Sequence, residues 1–125
     1  MGVGISLTKD HFWLPASWVG RNVADCILPH LNGCAEASVR RRLEEMYAYP
    51  GAIALFEDAD ANELRILYDA VVRGYKSAKE RGPSGWHMPE CFPAFMKQFA
   101  DLIRMVHADP RLLGFEHELP EDFVA

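Results

Sequence analysis

Cysteine and histidine recur at four-residue intervals in two places along the chain: Cys26, His30 and Cys34, and later His87 and Cys91. Residues four apart share one face of a helix, and thiolate with imidazole is the donor set that zinc prefers. The chemistry such a set would do is metal coordination. Two features argue against it. Zinc modules usually present two close ligand pairs on tight turns, which this spacing does not give. Cys34 also follows Gly33, a helix-stopping residue, so three donors would not share a helix face. The competing reading makes Cys26 a small core hydrophobe and His30 a cation at the negative end of a helix. No metal and no other cofactor is therefore expected, and Cys26, His30, His87 and Cys91 stand as the alternative ligand set.

A second concentration of chemistry is the connector Gly-Pro-Ser-Gly-Trp-His-Met-Pro from Gly82 to Pro89, with Glu90 and Cys91 just beyond it. An aromatic side chain and a titratable imidazole on a loop are what a binding site often uses. A His87–Cys91 nucleophile pair would further need the imidazole within hydrogen-bond reach of the thiol, and an oxyanion donor. Spacing supplies neither, so no catalytic residue is assigned. Otherwise Trp86 tucks under the loop as a plug and Cys91 sits in the first turn of a helix. Nearer the start, Phe12, Trp13 and Trp18 are candidates for an exposed aromatic contact. The opening Met-Gly-Val-Gly-Ile-Ser matches a lipidation pattern formally, but no basic cluster follows to strengthen membrane attachment.

Carboxylates form the third feature. Glu57, Asp58, Asp60 and Glu63 place four negative charges within seven residues, and Asp109, Glu116, Glu118, Glu121 and Asp122 face only Arg111 near the other end. The first group lacks the central glycine and distal glutamate of a calcium loop. Capping of the helix that follows explains it better. The rest of the chain is net positive, but its densest basic cluster, Arg40-Arg41-Arg42, has Glu36, Glu44 and Glu45 within one turn. Consecutive helical residues point about 100° apart, so that triplet cannot form one phosphate-facing stripe. A net charge of −5 without a basic stripe points away from nucleic acid.

These residues need a scaffold, and 125 residues that are 50% hydrophobic suffice for one domain with its own core. No apolar run reaches the roughly 18 residues of a membrane span. Three cysteines, an odd number, and no leader-like N-terminus give a reduced, cytoplasmic setting as the expectation. A first helix is predicted from near Pro15, with Val19, Val23, Cys26, Ile27 and His30 at helical spacing and a stop at Asn32-Gly33. A second runs from about Ala35 to Tyr47, burying Val39, Leu43, Met46 and Tyr47 and pairing Glu36 with Arg40. The third starts at Asp60, with Glu63 completing a capping box, and carries Leu64, Leu67, Tyr68, Val71, Tyr75 and Ala78 to a stop at Gly82-Pro83. The fourth spans about Pro89 to His107, with Phe92, Phe95, Met96, Phe99, Leu102, Ile103 and Val106 on one face.

The expected fold is thus mainly α: a compact bundle of about four helices in one domain, 1–125, with a short two-stranded β element of Val3–Leu7 and Gly51–Phe56. The expected function is an acidic protein-binding module, with an inhibitor or immunity-type protein for a basic partner, or an adaptor subunit, as concrete forms. Its contact residues would be Trp86, His87, Glu57, Asp58, Asp60, Glu116 and Glu118. The alternative is a small enzyme or a metal- or ligand-binding domain using the Trp86–His87–Cys91 region. A homodimer joined through a helix face is a third arrangement.

Overall fold

The computed structural model describes residues 4–15, 17–47, 53–84 and 88–112. The chain opens with strand β1 (Gly4–Thr8), turns back into β2 (His11–Trp13), and enters helix α1 (Ser17–Ile27). Helix α2 (Ala37–Glu44), strand β3 (Ile53–Leu55) and the two longest helices, α3 (Ala61–Arg81) and α4 (Phe92–His107), follow. The mainly helical bundle of four helices matches the sequence expectation. Among the described residues no helix is long and apolar enough to cross a membrane.

The β element differs from expectation by one strand. β1 pairs in parallel with β3, as predicted for Val3–Leu7 and Gly51–Phe56, but also antiparallel with β2, so the order is β2-β1-β3. Three residues, two exposed and one buried, are too short a signal to read as a strand. Register puts Trp13, Ile5 and Ala54 in one row across the sheet and Phe12, Ser6 and Leu55 in the next. Paired residues project to the same face and neighbours to opposite faces. The first row is accordingly buried. In the second, Phe12 and Leu55 are exposed and flank Ser6, which is buried between them.

Helix boundaries follow local chemistry. Pro29 cannot donate a backbone hydrogen bond, and α1 closes at Ile27 into a 3-10 turn (Leu28–His30) rather than continuing to His30. The second helix is narrower than expected, with 3-10 turns at Cys34–Glu36 and Glu45–Tyr47 on either side. Within it Arg40 turns away from Glu36. Its guanidinium donates to the Leu28 carbonyl at 2.8 Å and pairs with Glu44 at 3.5 Å, because the carbonyls of the preceding 3-10 turn lie within reach. The Asp60–Glu63 capping box forms as predicted: Glu63 N–H donates to the Asp60 carboxylate at 2.8 Å. Gly82 ends α3 with φ 67°, a left-handed backbone that glycine adopts without strain.

Core packing joins α1, α3 and α4. Phe99 sits edge-on to both Tyr75 (5.5 Å between centroids) and Phe95 (5.7 Å). Trp13 fastens the sheet to α4 by donating its indole N–H to the Gln98 carbonyl at 2.9 Å. One buried pair was read wrongly from sequence. Asp109, counted there with the acidic surface, is buried against Arg111, which follows α4 in the 3-10 turn Pro110–Leu112. Arg111 donates to the carbonyls of Leu7, Phe56 and Ala59 at 2.6–2.9 Å, tying this turn to β1 and to the turn before α3.

Candidate binding groove

On α1 the predicted core stripe, Val19, Val23 and Ile27, is buried as expected. An adjacent stripe, Trp18, Asn22, Asp25 and Cys26, borders a groove of about 750 Å³. That volume lies within the size range of small-molecule sites. Its second wall is the C-terminal turn of α3, with Ala78 and Arg81, then Gly82 and Ser84. Its third is the start of the fourth helical segment: Met88, Cys91 in the 3-10 turn Pro89–Cys91, and Phe95 one turn into α4.

Local sequence explains the shape. Gly74 lets α3 approach α1 closely, since a Cβ there would stand 2.9 Å from the Cys26 carbonyl oxygen. Beyond this close crossing, Gly82 turns the chain off the axis of α3, and the prolines at 89 and 93 start the next segment in a tighter turn. Ala78 and Arg81 near the end of α3, and Cys91 and Phe95 at the start of the next segment, line the groove at this end.

The walls are mostly apolar. Phe95 and Ala78 are buried, whereas Trp18 and Met88 remain 41% and 51% exposed at the rim. An exposed Trp and Met beside a concavity offer solvent-facing apolar surface. Polar groups are few and mostly engaged. Asn22 donates to the Trp18 carbonyl at 2.6 Å, and Asp25 accepts from the Tyr47 hydroxyl at 2.5 Å. Burial, followed by that donation to a carboxylate, raises the Tyr47 pKa far above its ordinary value. Burial likewise raises the Cys26 thiol, although the Arg81 guanidinium, which hydrogen-bonds it, pulls the other way. Cys26 therefore stays a protonated thiol at neutral pH.

Of the proposed metal donors, Cys26 and Cys91 line this one groove. His30 lies in the 3-10 turn after α1 and Cys34 is exposed at the next, neither on the groove wall. Among the described residues no three His, Cys, Asp or Glu side chains are grouped to hold a metal. Trp86, His87, Glu116 and Glu118 lie outside the described residues. The remaining acidic candidates sit between β3 and α3, away from the groove lining, and are tied internally. Glu57 accepts from Ser6 at 3.3 Å, and Asp60 caps α3. Asp58 and Glu63 both bind Arg42, at 2.7 and 3.0 Å. Hydrogen bonds from Arg42 hold both of those carboxyls below their usual range. Asp58 is nonetheless largely open to solvent.

Sequence reasoning singled out Trp18 and the two cysteines but missed Asn22, Asp25, Arg81 and Met88. The available signal was the stripe Trp18–Asn22–Cys26, spaced by four and offset from the Val19–Val23–Ile27 stripe. It becomes meaningful only once the end of α3 and the start of α4 are seen to line the same groove. The chain matches no protein-family model, no curated protein and no solved structure.

Proposed function

We propose that the chain is a ligand-binding domain whose recognition site is the groove between α1, the end of α3 and the start of α4. One observation carries this reading: the groove combines a volume suited to a small molecule with apolar walls that include the exposed Trp18 and Met88. Ligand sites are typically concave and apolar, with a few polar groups that fix orientation. Here Asn22, Asp25, Arg81 and Ser84 supply those groups. This develops the sequence-based alternative and centres it on the groove residues, because Trp86 and His87 lie outside the described residues. The test is a titration with small amphipathic molecules followed by NMR. Expected are shifts of the Trp18 indole and the Met88 methyl, with the Leu55 methyls silent, and loss of binding in Met88→Glu. Shifts that ignore the groove, or binding untouched by Met88→Glu, would overturn it.

A second reading keeps the protein-binding module with a basic partner. It is favoured by the outer row of the sheet, where exposed Phe12 and Leu55 flank Ser6, whose hydroxyl donates to the Glu57 carboxylate. An apolar centre with a charged rim is ordinary interface anatomy. Leu55→Glu would abolish retention of such a partner while leaving groove binding intact. Retention unchanged by Leu55→Glu would remove this reading.

A further inference from the structure

The groove lining carries one carboxylate, Asp25, and one guanidinium, Arg81, and the two are engaged differently. Asp25 has its carboxylate oriented to the Tyr47 hydroxyl at 2.5 Å. Arg81 has the Cys26 thiol as its hydrogen-bond partner in the groove, and burial keeps that thiol protonated and neutral. Among the described residues no carboxylate stands within ion-pair distance of Arg81. A guanidinium offers five donors in a planar fork, of which a thiol, itself a weak acceptor, satisfies little. The apolar walls of Trp18, Phe95 and Met88 lie in the same concavity. An anion joined to an apolar body would complement this arrangement.

Resting on the groove as ligand site, we propose that its ligand is an amphipathic acid, whose carboxylate pairs with Arg81 while its apolar portion lies against Trp18, Met88 and Phe95. A carboxylate matches the fork with two parallel hydrogen bonds, and charge-assisted bonds of this kind are roughly twice as strong as neutral ones. The overall charge of −5 does not oppose this, because the cation that meets the bound head is Arg81 and distant surface charges are screened within about 8 Å at physiological salt. Arg81 would then be the specificity-determining residue, selecting acids over alcohols and amines of equal chain length.

Three probes of one length separate the possibilities: octanoate, octan-1-ol and octyltrimethylammonium, each titrated into the full chain at pH 7 with tryptophan fluorescence and NMR as readouts. Octanoate is expected to bind at least about tenfold more tightly than the alcohol, and the ammonium ion more weakly still. Arg81→Met should bring octanoate to the level of the alcohol, while Arg81→Lys retains part of the preference. Arg81 is exposed at the helix end, so circular dichroism should show both variants folded. Equal binding of octanoate and octan-1-ol to the native chain, or an octanoate preference that survives Arg81→Met, overturns the proposed acid specificity and leaves the groove reading standing. If none of the three probes perturbs the groove, both fail.

Discussion

Asp109 and Arg111 form a two-point ion pair, Oδ1 to Nε at 2.9 Å and Oδ2 to Nη2 at 2.8 Å, in which the carboxylate is almost fully buried. The two residues are only two apart in sequence, yet their contacts reach the far end of the chain: the same guanidinium binds Leu7 and Phe56 carbonyls. Removing one partner of a buried pair leaves the other charge stranded, which typically costs about 3–5 kcal/mol. Arg111→Met is therefore expected to lower the melting temperature by roughly 10 °C or more. Thermal unfolding followed by circular dichroism checks it, and a loss of only a degree or two would show that solvent already shares the charge.

The same pair sets an acid dependence. Burial alone would raise the Asp109 pKa, but hydrogen bonds and charge from Arg111 outweigh it, and the native value lies below the ordinary one. A depressed native pKa stabilises the fold above the unfolded-state value of about 3.9, and the contribution disappears as pH falls through the native value. Asp109→Asn should thus be less stable than the native chain at pH 7 and flatten the stability profile below about pH 4. Urea midpoints measured from pH 7 down to pH 3 distinguish this from a pH-independent packing defect, which would shift the whole profile equally.

How much of this was legible follows from the range of each interaction. Leu64 through Ala78 spell out α3 by their own spacing, and Asp60 with Glu63 mark its start, because capping and amphipathic burial act over a few residues. Arg111 carries no local mark of its destination. Its partners at positions 7, 56 and 59 are backbone carbonyls, available at any residue type. The groove was partly legible for the same reason: Cys26 and Cys91 drew notice as chemical groups, whereas their meeting in one concavity depends on Gly74 and Gly82 directing helices that sequence alone does not orient. The short strand β2 gave too few residues for a period to show.

The capping box gives a contrasting, local prediction. Asp60→Ala removes the acceptor of the Glu63 N–H and is expected to cost about 1 kcal/mol, near 4 °C in melting temperature. Asp60→Asn or Asp60→Ser should recover most of it, because either side chain can accept the same bond. If the recovery fails, the loss reflects charge near the helix terminus rather than the cap itself. Amide exchange at 61–64 would locate the effect: faster exchange confined to that turn is the expected pattern.

Thiol chemistry offers a test of the groove interior. Cys34 is exposed, whereas Cys26 is partly buried and its pKa is raised, chiefly by burial. The thiolate is the reactive species, so Cys26 should alkylate at least about tenfold more slowly than Cys34 at pH 7. Its rate should also keep rising with pH beyond the ordinary cysteine range, since the thiolate forms later. A short iodoacetamide pulse with peptide mass mapping reads each site separately. Labelling of Cys26 as fast as Cys34 would mean that the α1–α3 seam opens readily.

Two glycines, one inside α3 and one just past its end, should fail for opposite reasons. At Gly74 a Cβ would meet the Cys26 carbonyl oxygen at 2.9 Å and its carbon at 3.2 Å, both rigid backbone. Alanine gains about 1 kcal/mol of helix propensity there, but overpacking of this kind costs about 1–3 kcal/mol. Gly74→Ala is therefore expected to be net destabilising, by roughly 1 kcal/mol, and to push α1 away from α3. At Gly82 there is open space around the Cβ, and the cost of Gly82→Ala comes only from φ 67°, again about 1 kcal/mol. Equal stability losses thus conceal different structures, and Cys26 separates them. Its alkylation should accelerate in Gly74→Ala, where the seam beside it is wedged apart, and stay slow in Gly82→Ala. The reverse order would show that the helix end, rather than the Gly74 crossing, holds the groove in shape.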